Sequence, residues 1–167
     1  VEVAPVESPV TVGFVPVKGE RPEWVVQKLT EIGVDRIVVA RSARSVVRWD
    51  GDRADRQLDR LRRVAREAAM QSRRCRLPDL DGVRPVADLL DRGDVAVAAP
   101  GGETLDGTER TVLVGPEGGW DGDELSRSSR AVSLGPGVLR AETACVVGAA
   151  LLVGFRDGRL RPTTNSG

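Results

Sequence analysis

The chain has 167 residues, enough for one hydrophobic core and short for two. Its 25 Lys and Arg balance its 25 Asp and Glu, so no global charge draws it to nucleic acid or membrane, and any basic surface must be local. The absence of His removes the usual general base, the usual activator of a nucleophile and the commonest metal ligand.

The opening VEVAPVESPV has no basic stretch ahead of an apolar core, and no apolar run approaches the roughly 20 residues that cross a bilayer, so a soluble, cytoplasmic protein without a targeting segment is expected. VTVGFVPV (10–17) reads as a buried strand. ERPEWVVQKLTEIG follows as a helix with Pro22 in its first turn and Gly33 as its stop. DRIVVA is a second strand. From Arg53 to about Arg74 a longer helix carries Leu58, Leu61, Val64, Ala65, Ala68 and Ala69 at three-and-four spacing. Then come LPDLDGV, a short helix VADLLDR, a strand DVAVAA and a loop PGGETLDGTE rich in turn formers. TVLVG is a strand that runs into GPEGGW. The helix beyond it carries a capping signal, Asp121 with Glu124 three residues on. AVSLG is the last strand and RAETACVVGAALLVGF the last helix, apolar nearly all round and expected to be buried. The tail RDGRLRPTTNSG is polar and expected to fray.

Alternating strands and helices predict an α/β protein, a parallel sheet flanked by helices on both faces. Cys75 and Cys145 are far apart and outside any CxxC spacing, which predicts neither a disulfide nor a zinc site. Arginines crowd the stretch from Arg36 to Arg76 while Asp and Glu gather from Asp79 onward, a hint of a basic RNA-facing side.

Two strand-to-loop junctions, LVGPEGG and SLGPGVLRAETA, place Gly-Pro directly after a strand, and ligands in open α/β sheets bind at the carboxyl ends of strands. The two loops are expected to form one pocket. Neither GxGxxG at the first strand nor GxxxxGK with Ser or Thr is present, which argues against a plain dinucleotide-binding domain and a phosphate cradle. Glycines at strand ends serve equally as turn residues.

LVGPEGGWDGDEL followed by LGPGVLRAETA resembles the paired signature of the SPOUT-class small-subunit ribosomal RNA uridine N3-methyltransferases. KGERPEWVVQKLTEIGV, ARSARSVVRW and AREAAMQSRRCRLPDL are similar to upstream family segments in the same order. Two departures stand out: Trp120 replaces a Phe, and AAPGGETL is a glycine-rich version of a more acidic loop. The resemblance implies one SPOUT domain over 1–167, with a core at 10–157 and a flexible tail at 158–167. The PUA-like barrel that usually precedes such a domain is expected to be absent from this chain, as in a fragment or a short form. The resemblance also implies a C-terminal trefoil knot, S-adenosyl-L-methionine as cofactor, no metal, a homodimer, and small-subunit ribosomal RNA or the assembled subunit as partner.

For the cofactor the resemblance implies Leu113, Gly115, Pro116, Glu117, Gly118, Gly119, Leu134, Gly135, Val138, Leu139, Arg140, Thr143 and Ala144. Gly115, Gly118 and Gly119 would allow close backbone approach, with Leu134, Gly135, Val138 and Leu139 around the adenine, although buried Leu is as readily ordinary core. Methylation at uridine N3 needs alignment and a destination for the N3 proton. Arg140 is the candidate to meet negative charge on the base, or to pair with Glu117 or Glu142. Glu117 or Glu142 is the candidate proton acceptor, though in the first helical turn Glu142 also suits the helix dipole. Lys18, Arg21, Lys28, Arg44, Arg73 and Arg74 match basic family positions that would meet RNA phosphates, while Gln71 and Ser72 suit either RNA or a helix end. Two alternatives remain. A ribose 2′-O-methyltransferase of the same fold would be expected to use an asparagine-glycine loop, and the only Asn is Asn165 in the tail. A non-catalytic RNA-binding fragment would fail to bind cofactor.

Overall fold

The structure, a computed structural model, describes residues 6–19 and 21–162. Six strands form one sheet in the order β3-β2-β1-β5-β4-β6, every pair parallel. The elements in chain order are β1 (Thr11–Phe14), α1 (Pro22–Ile32), β2 (Arg36–Arg41), α2 (Gly51–Gln71), β3 (Asp79–Pro85) and α3 (Val86–Leu90). After these come β4 (Val95–Thr104), β5 (Thr111–Val114), α4 (Gly122–Arg127), β6 (Arg130–Ser133) and α5 (Ala141–Arg156). The expected parallel α/β architecture is present.

β1 is buried along its whole length because helices cover both faces of a parallel sheet, which is why its sequence runs apolar without alternating. On one face α1, α2 and α5 cover a core containing Val26, Leu29, Leu61, Ala149 and Leu152. On the other, α3 and the loop carrying Trp120 cover Val38, Val97 and Leu113. The first two crossovers carry the chain outward from β1 to β2 and β3. The later ones build the opposite half around β5, β4 and β6, so the sheet changes direction between β1 and β5.

Local chemistry explains the boundaries. Gly33 ends α1 at φ 113°, its N–H donating to the Leu29 carbonyl. α2 starts at Gly51, two residues before the expected Arg53, and stops at Gln71 rather than at Arg74. There the Ser72 hydroxyl donates to the Ala68 carbonyl at 2.7 Å, and Arg73 takes φ 56°. Ser72 is therefore a helix end. The segment LPDLDGV, given no element by its pattern, is the edge strand β3, where Asp79, Asp81 and Arg84 break the apolar run and ion pairs from Arg36 reach Asp79 and Asp81.

β4 corrects the expected loop PGGETLDGTE. The strand continues to Thr104, with both Ala98 and Glu103 opposite Val132, so residues 99–102 bulge out between them. Gly101 sits at φ 75°, and a Cβ on Gly102 would come within 2.7 Å of the Ala131 carbonyl group. Glycine is needed where the bulge closes on β6.

α5 is buried on one side only, through Ala144, Cys145, Gly148, Ala149, Leu152 and Val153. Val146, Val147 and Leu151 are half-buried and Ala150 is exposed, so the expectation of burial all round fails: the sheet covers one side of the helix. The tail is anchored further than expected, since the N–H groups of Arg159 and Leu160 both donate to the Gly154 carbonyl. Residues 163–167 of the expected tail, including Asn165, lie outside the described residues. Cys75 is exposed, Cys145 is buried, and no disulfide joins them.

Candidate active site

At the carboxyl ends of β4, β5 and β6 three loops enclose a cavity of about 560 Å³, within the range of small-molecule sites. The β4 bulge supplies Ala98, Ala99 and Pro100. The loop after β5 supplies Gly115 to Glu117, Gly119 and Trp120, and the β6–α5 loop supplies Ser133, Leu134 and Gly137 to Ala141, with Ala144 behind them. The two Gly-Pro loops thus meet in one pocket.

The β5 loop is held from beneath. Its N–H at Gly119 donates to the Pro116 carbonyl at 2.9 Å, closing a turn whose last residue has φ 74°. Trp120 folds back under it, and its indole N–H donates to the Ala98 carbonyl at 2.8 Å, joining the β5 loop to the β4 bulge. A Cβ on Gly115 would stand 2.8 Å from that ring. Glycine at 115 therefore serves the tryptophan, while Gly118 faces open space.

Asp121 and Glu124 complete the expected capping box at α4. Glu124 does more: buried, it accepts the Asp121 N–H on one oxygen at 3.0 Å and the Ala43 N–H on the other at 2.8 Å. Next to it, the Arg44 guanidinium donates to the Gly118 carbonyl at 2.9 Å. These bonds dock the arginine-serine segment after β2 onto the glycine loop after β5. The carboxylate of Glu124 was legible only as a cap, because its second partner lies 81 positions away.

The β6–α5 loop is shaped by the Ser133 hydroxyl donating to the Gly135 carbonyl at 2.8 Å. Leu134 packs over Gly148 of α5, with its side chain 3.5 Å from where a Cβ would be. Arg140, the N-cap residue of α5, is exposed and lines the cavity. Glu117, on the loop after β5, is also exposed and lines the same cavity. Among the described residues Arg140 forms no ion pair with Glu117 or Glu142.

Of the residues expected around a cofactor, Gly115, Pro116, Glu117, Gly119, Leu134, Val138, Leu139, Arg140 and Ala144 line the cavity. Leu113 lies fully buried in the core below it, Gly118 and Gly135 turn carbonyls to Arg44 and Ser133, and Thr143 is exposed. Glu142 points elsewhere and accepts the Arg21 N–H at 3.0 Å, tying α5 to the start of α1. Ala98, Pro100, Trp120, Leu125, Ser133 and Gly137 also line the cavity and were not foreseen. Trp120 and Gly137 stand inside the quoted motifs and could have been read there. Ala98 and Pro100 stand in the quoted AAPGGETL segment, read as a pocket wall, but its bulge could not be read, since strand pairing is invisible to local pattern.

The basic residues separate as clearly. Lys18, Arg21 and Arg73 are exposed, and Arg44 holds the loop. Lys28 pairs with Glu31 at 2.9 Å. Arg74 donates to the carbonyls of Thr30 and Val34, and burial pushes its pKa down. Its place is in the frame.

An open sheet with its cavity at the carboxyl ends of the strands, beside the point where strand order reverses, defines a doubly wound α/β ligand-binding domain. Within that class, the sequence pattern of the RNA methyltransferase domain matches residues 4–153, and the chain belongs to that family. It is 42% identical over 164 residues to the ribosomal RNA small subunit methyltransferase E of Mycobacterium bovis, covering 87% of this chain and 63% of that protein. To the Bacillus subtilis protein of the same name it is 32% identical over 149 residues, covering 76% and 58%. A crystal structure of the Neisseria gonorrhoeae ribosomal RNA small subunit methyltransferase E bound to S-adenosyl methionine superimposes with a TM-score of 0.77 at 27% identity, covering 89% and 67%. The chain thus spans about three fifths of the length of the curated relatives it matches.

Proposed function

We propose that this chain binds S-adenosyl-L-methionine in the cavity and methylates N3 of a uridine in small-subunit ribosomal RNA. The observation that carries the reading is the cavity itself: two Gly-Pro loops and the β4 bulge converge on one space, with Arg140 and Glu117 on its rim. Its wall suits a nucleoside cofactor. Leu134, Val138 and Leu139 offer apolar contact to a flat base, and the main chain of the same loop offers donors and acceptors to the base edge.

Bound there, the cofactor would supply a sulfonium methyl group already activated for transfer. The protein must then align uracil N3 and manage its proton. In this reading Glu117 accepts the N3 proton on its carboxylate as the N–CH3 bond forms, and Arg140 meets the negative charge spread over the two ring carbonyls. Glu142 takes the lesser part, since its carboxylate is engaged by the Arg21 N–H. Arg140→Ala should lower kcat by about 10²–10³, the usual effect of removing one charge-stabilising donor.

The same proposal holds a single domain with its core at 10–157, located in the cytoplasm and free of metal. Among the described residues no group of side chains could hold a metal ion and no helix is long and apolar enough to cross a membrane. A trefoil knot belongs to it as well: α5 follows edge strand β6 yet packs back over β1 and β5, the return path that a threaded C-terminus needs. The half-buried Val146 and Val147, on the side of α5 away from the core, support a homodimer.

The deciding experiment incubates the chain with methyl-labelled S-adenosylmethionine and small ribosomal subunits lacking the modification, then identifies the labelled nucleoside. N3-methyluridine is expected. A labelled 2′-O-methyl nucleoside would overturn the position, and no label would overturn the enzyme.

A further inference from the structure

α2 carries six arginines between Arg53 and Arg66, and the cavity uses none of them. Four of them, Arg53, Arg56, Arg60 and Arg63, are spaced three, four and three residues apart and fall on one strip about 80° wide at 100° per residue. All four are exposed. Only Arg60 is paired, to Glu23 of α1 at 3.0 Å, and it remains 60% exposed. Arg62 and Arg66 lie on the adjoining side with Asp55 and Asp59, where Arg62 and Asp59 pair at 3.0 Å. Charge on that side is mixed. On the strip it is of one sign from Arg53 to Arg63, bounded by Asp52 before it and Glu67 after it.

The strip also has a direction. Glu23 is the second residue of α1 and Arg60 the tenth of α2, so about 13 Å of α2 precedes their contact. That leading part begins where the chain leaves the carboxyl end of β2, on the side of the sheet where the cavity opens. The connecting segment holds exposed Arg48 and Arg44, which is bonded to the Gly118 carbonyl between the cavity-lining Glu117 and Gly119. Guanidinium groups therefore continue from the glycine loop beside the cavity onto the helix.

We propose that this arginine strip is an RNA-backbone surface: it holds the phosphodiesters of the strand flanking the nucleotide presented to the cavity. The proposal rests on the RNA-modifying reading above for its choice of polyanion. The strip runs about 15 Å along the helix, the axial length of about four phosphates of one strand in a duplex. Arginine suits the task because its planar fork matches phosphate oxygens.

The test measures binding of in vitro transcribed small-subunit ribosomal RNA across a salt series, for the wild-type chain and two variants. In Arg53→Gln/Arg56→Gln/Arg63→Gln the slope of log K against log salt should shrink by about 2–3, with affinity at low salt down roughly tenfold. Arg62→Gln/Arg66→Gln, a control for net charge, should keep the slope within about half a unit of the wild type. Calorimetric affinity for S-adenosylmethionine, expected to be the same in all three, verifies the fold. An unchanged slope in the triple variant, or an equal loss in the control, overturns the strip. RNA binding with the expected slopes but no methyl transfer by the wild-type chain would sink the enzymatic reading and leave the surface standing.

Discussion

The two ends of the sheet are built on opposite plans. At the amino end, polar groups close on one another: Asp35 accepts the Val10 N–H at 2.8 Å and pairs with Arg156, which also donates to the Gly33 carbonyl at 3.1 Å. Arg74 covers the carbonyls of Thr30 and Val34. The Thr30 carbonyl lies in the last turn of α1, where an uncovered helix terminus costs stability and a cation is favoured. At the carboxyl end the loops are held from behind, by Trp120 and Glu124, and their inner surface is left open. One end supplies stability, and the other uses it to keep a concave surface.

If that division is right, damage at the amino end should unfold the protein while sparing the site. Asp35→Ala leaves the Val10 N–H without its side-chain acceptor and takes one of three partners from Arg156, which keeps the Asp157 carboxylate and the Gly33 carbonyl, so it should lower unfolding free energy by about 2 kcal/mol. Urea denaturation measures it. Affinity for S-adenosylmethionine, taken well below the new transition, should stay within a factor of about 2, under the 1.4 kcal/mol that each tenfold change represents. A tenfold loss there would mean that the two ends are coupled.

Gly115→Ala makes the converse test. The added methyl meets the Trp120 ring at 2.8 Å, so either the ring or the loop must shift. Overpacking of this kind costs about 1–2 kcal/mol. The larger consequence should be a cofactor affinity at least tenfold weaker, read by calorimetry. Unchanged affinity would show that the cavity wall does not depend on the position of Trp120.

Much of this architecture was legible, and the failures share a cause. Strand-helix alternation, the Gly33 stop, the α2 stripe and the Asp121–Glu124 box are local signals, and each found its place. β3 and the far part of β4 were missed because edge strands and bulges are set by the neighbouring strand: Gly102 reads as a turn former until β6 is seen 2.7 Å from its missing Cβ. The motif residues led to the cavity but assigned Gly115 a reason that belongs to Trp120. Among the basic candidates, Arg74 was indistinguishable from Arg73 by sequence, since nothing local tells that one guanidinium will reach Thr30 and Val34.

A smaller effect should come from Glu124→Gln. One carboxamide oxygen replaces two carboxylate oxygens, so either the Asp121 or the Ala43 N–H loses its acceptor. The expected cost is about 1 kcal/mol, the size of a helix-cap loss. It should appear as faster amide exchange confined to residues 42–45 and 118–124. Exchange that rises evenly over the whole chain would mean a general loss of stability.

The mildest test concerns the edge where β6 meets the β4 extension. There Arg130 donates to Asp106 at 2.9 Å, to Glu109 at 2.6 Å and to Glu103 at 2.8 Å, clasping the bulged strand to the last one. The Thr108 N–H, then Arg130 and the Thr108 hydroxyl, hold the Asp106 carboxyl down at about 2, against an ordinary 3.8. A carboxyl whose folded pKa lies below its unfolded one stabilises the fold above the unfolded value and loses that contribution as pH falls toward the folded value. The clasp should therefore be at full strength at neutral pH and weaken between pH 3.8 and about 2. Asp106 is 38% exposed, so solvent and salt screen the pair and the contribution is small. Asp106→Asn should lower Tm slightly at pH 7 and flatten the fall of stability across that acid window, with wild type and variant converging toward pH 2. Parallel curves would show that acid acts through other carboxylates and that the Asp106 contact contributes nothing to the edge.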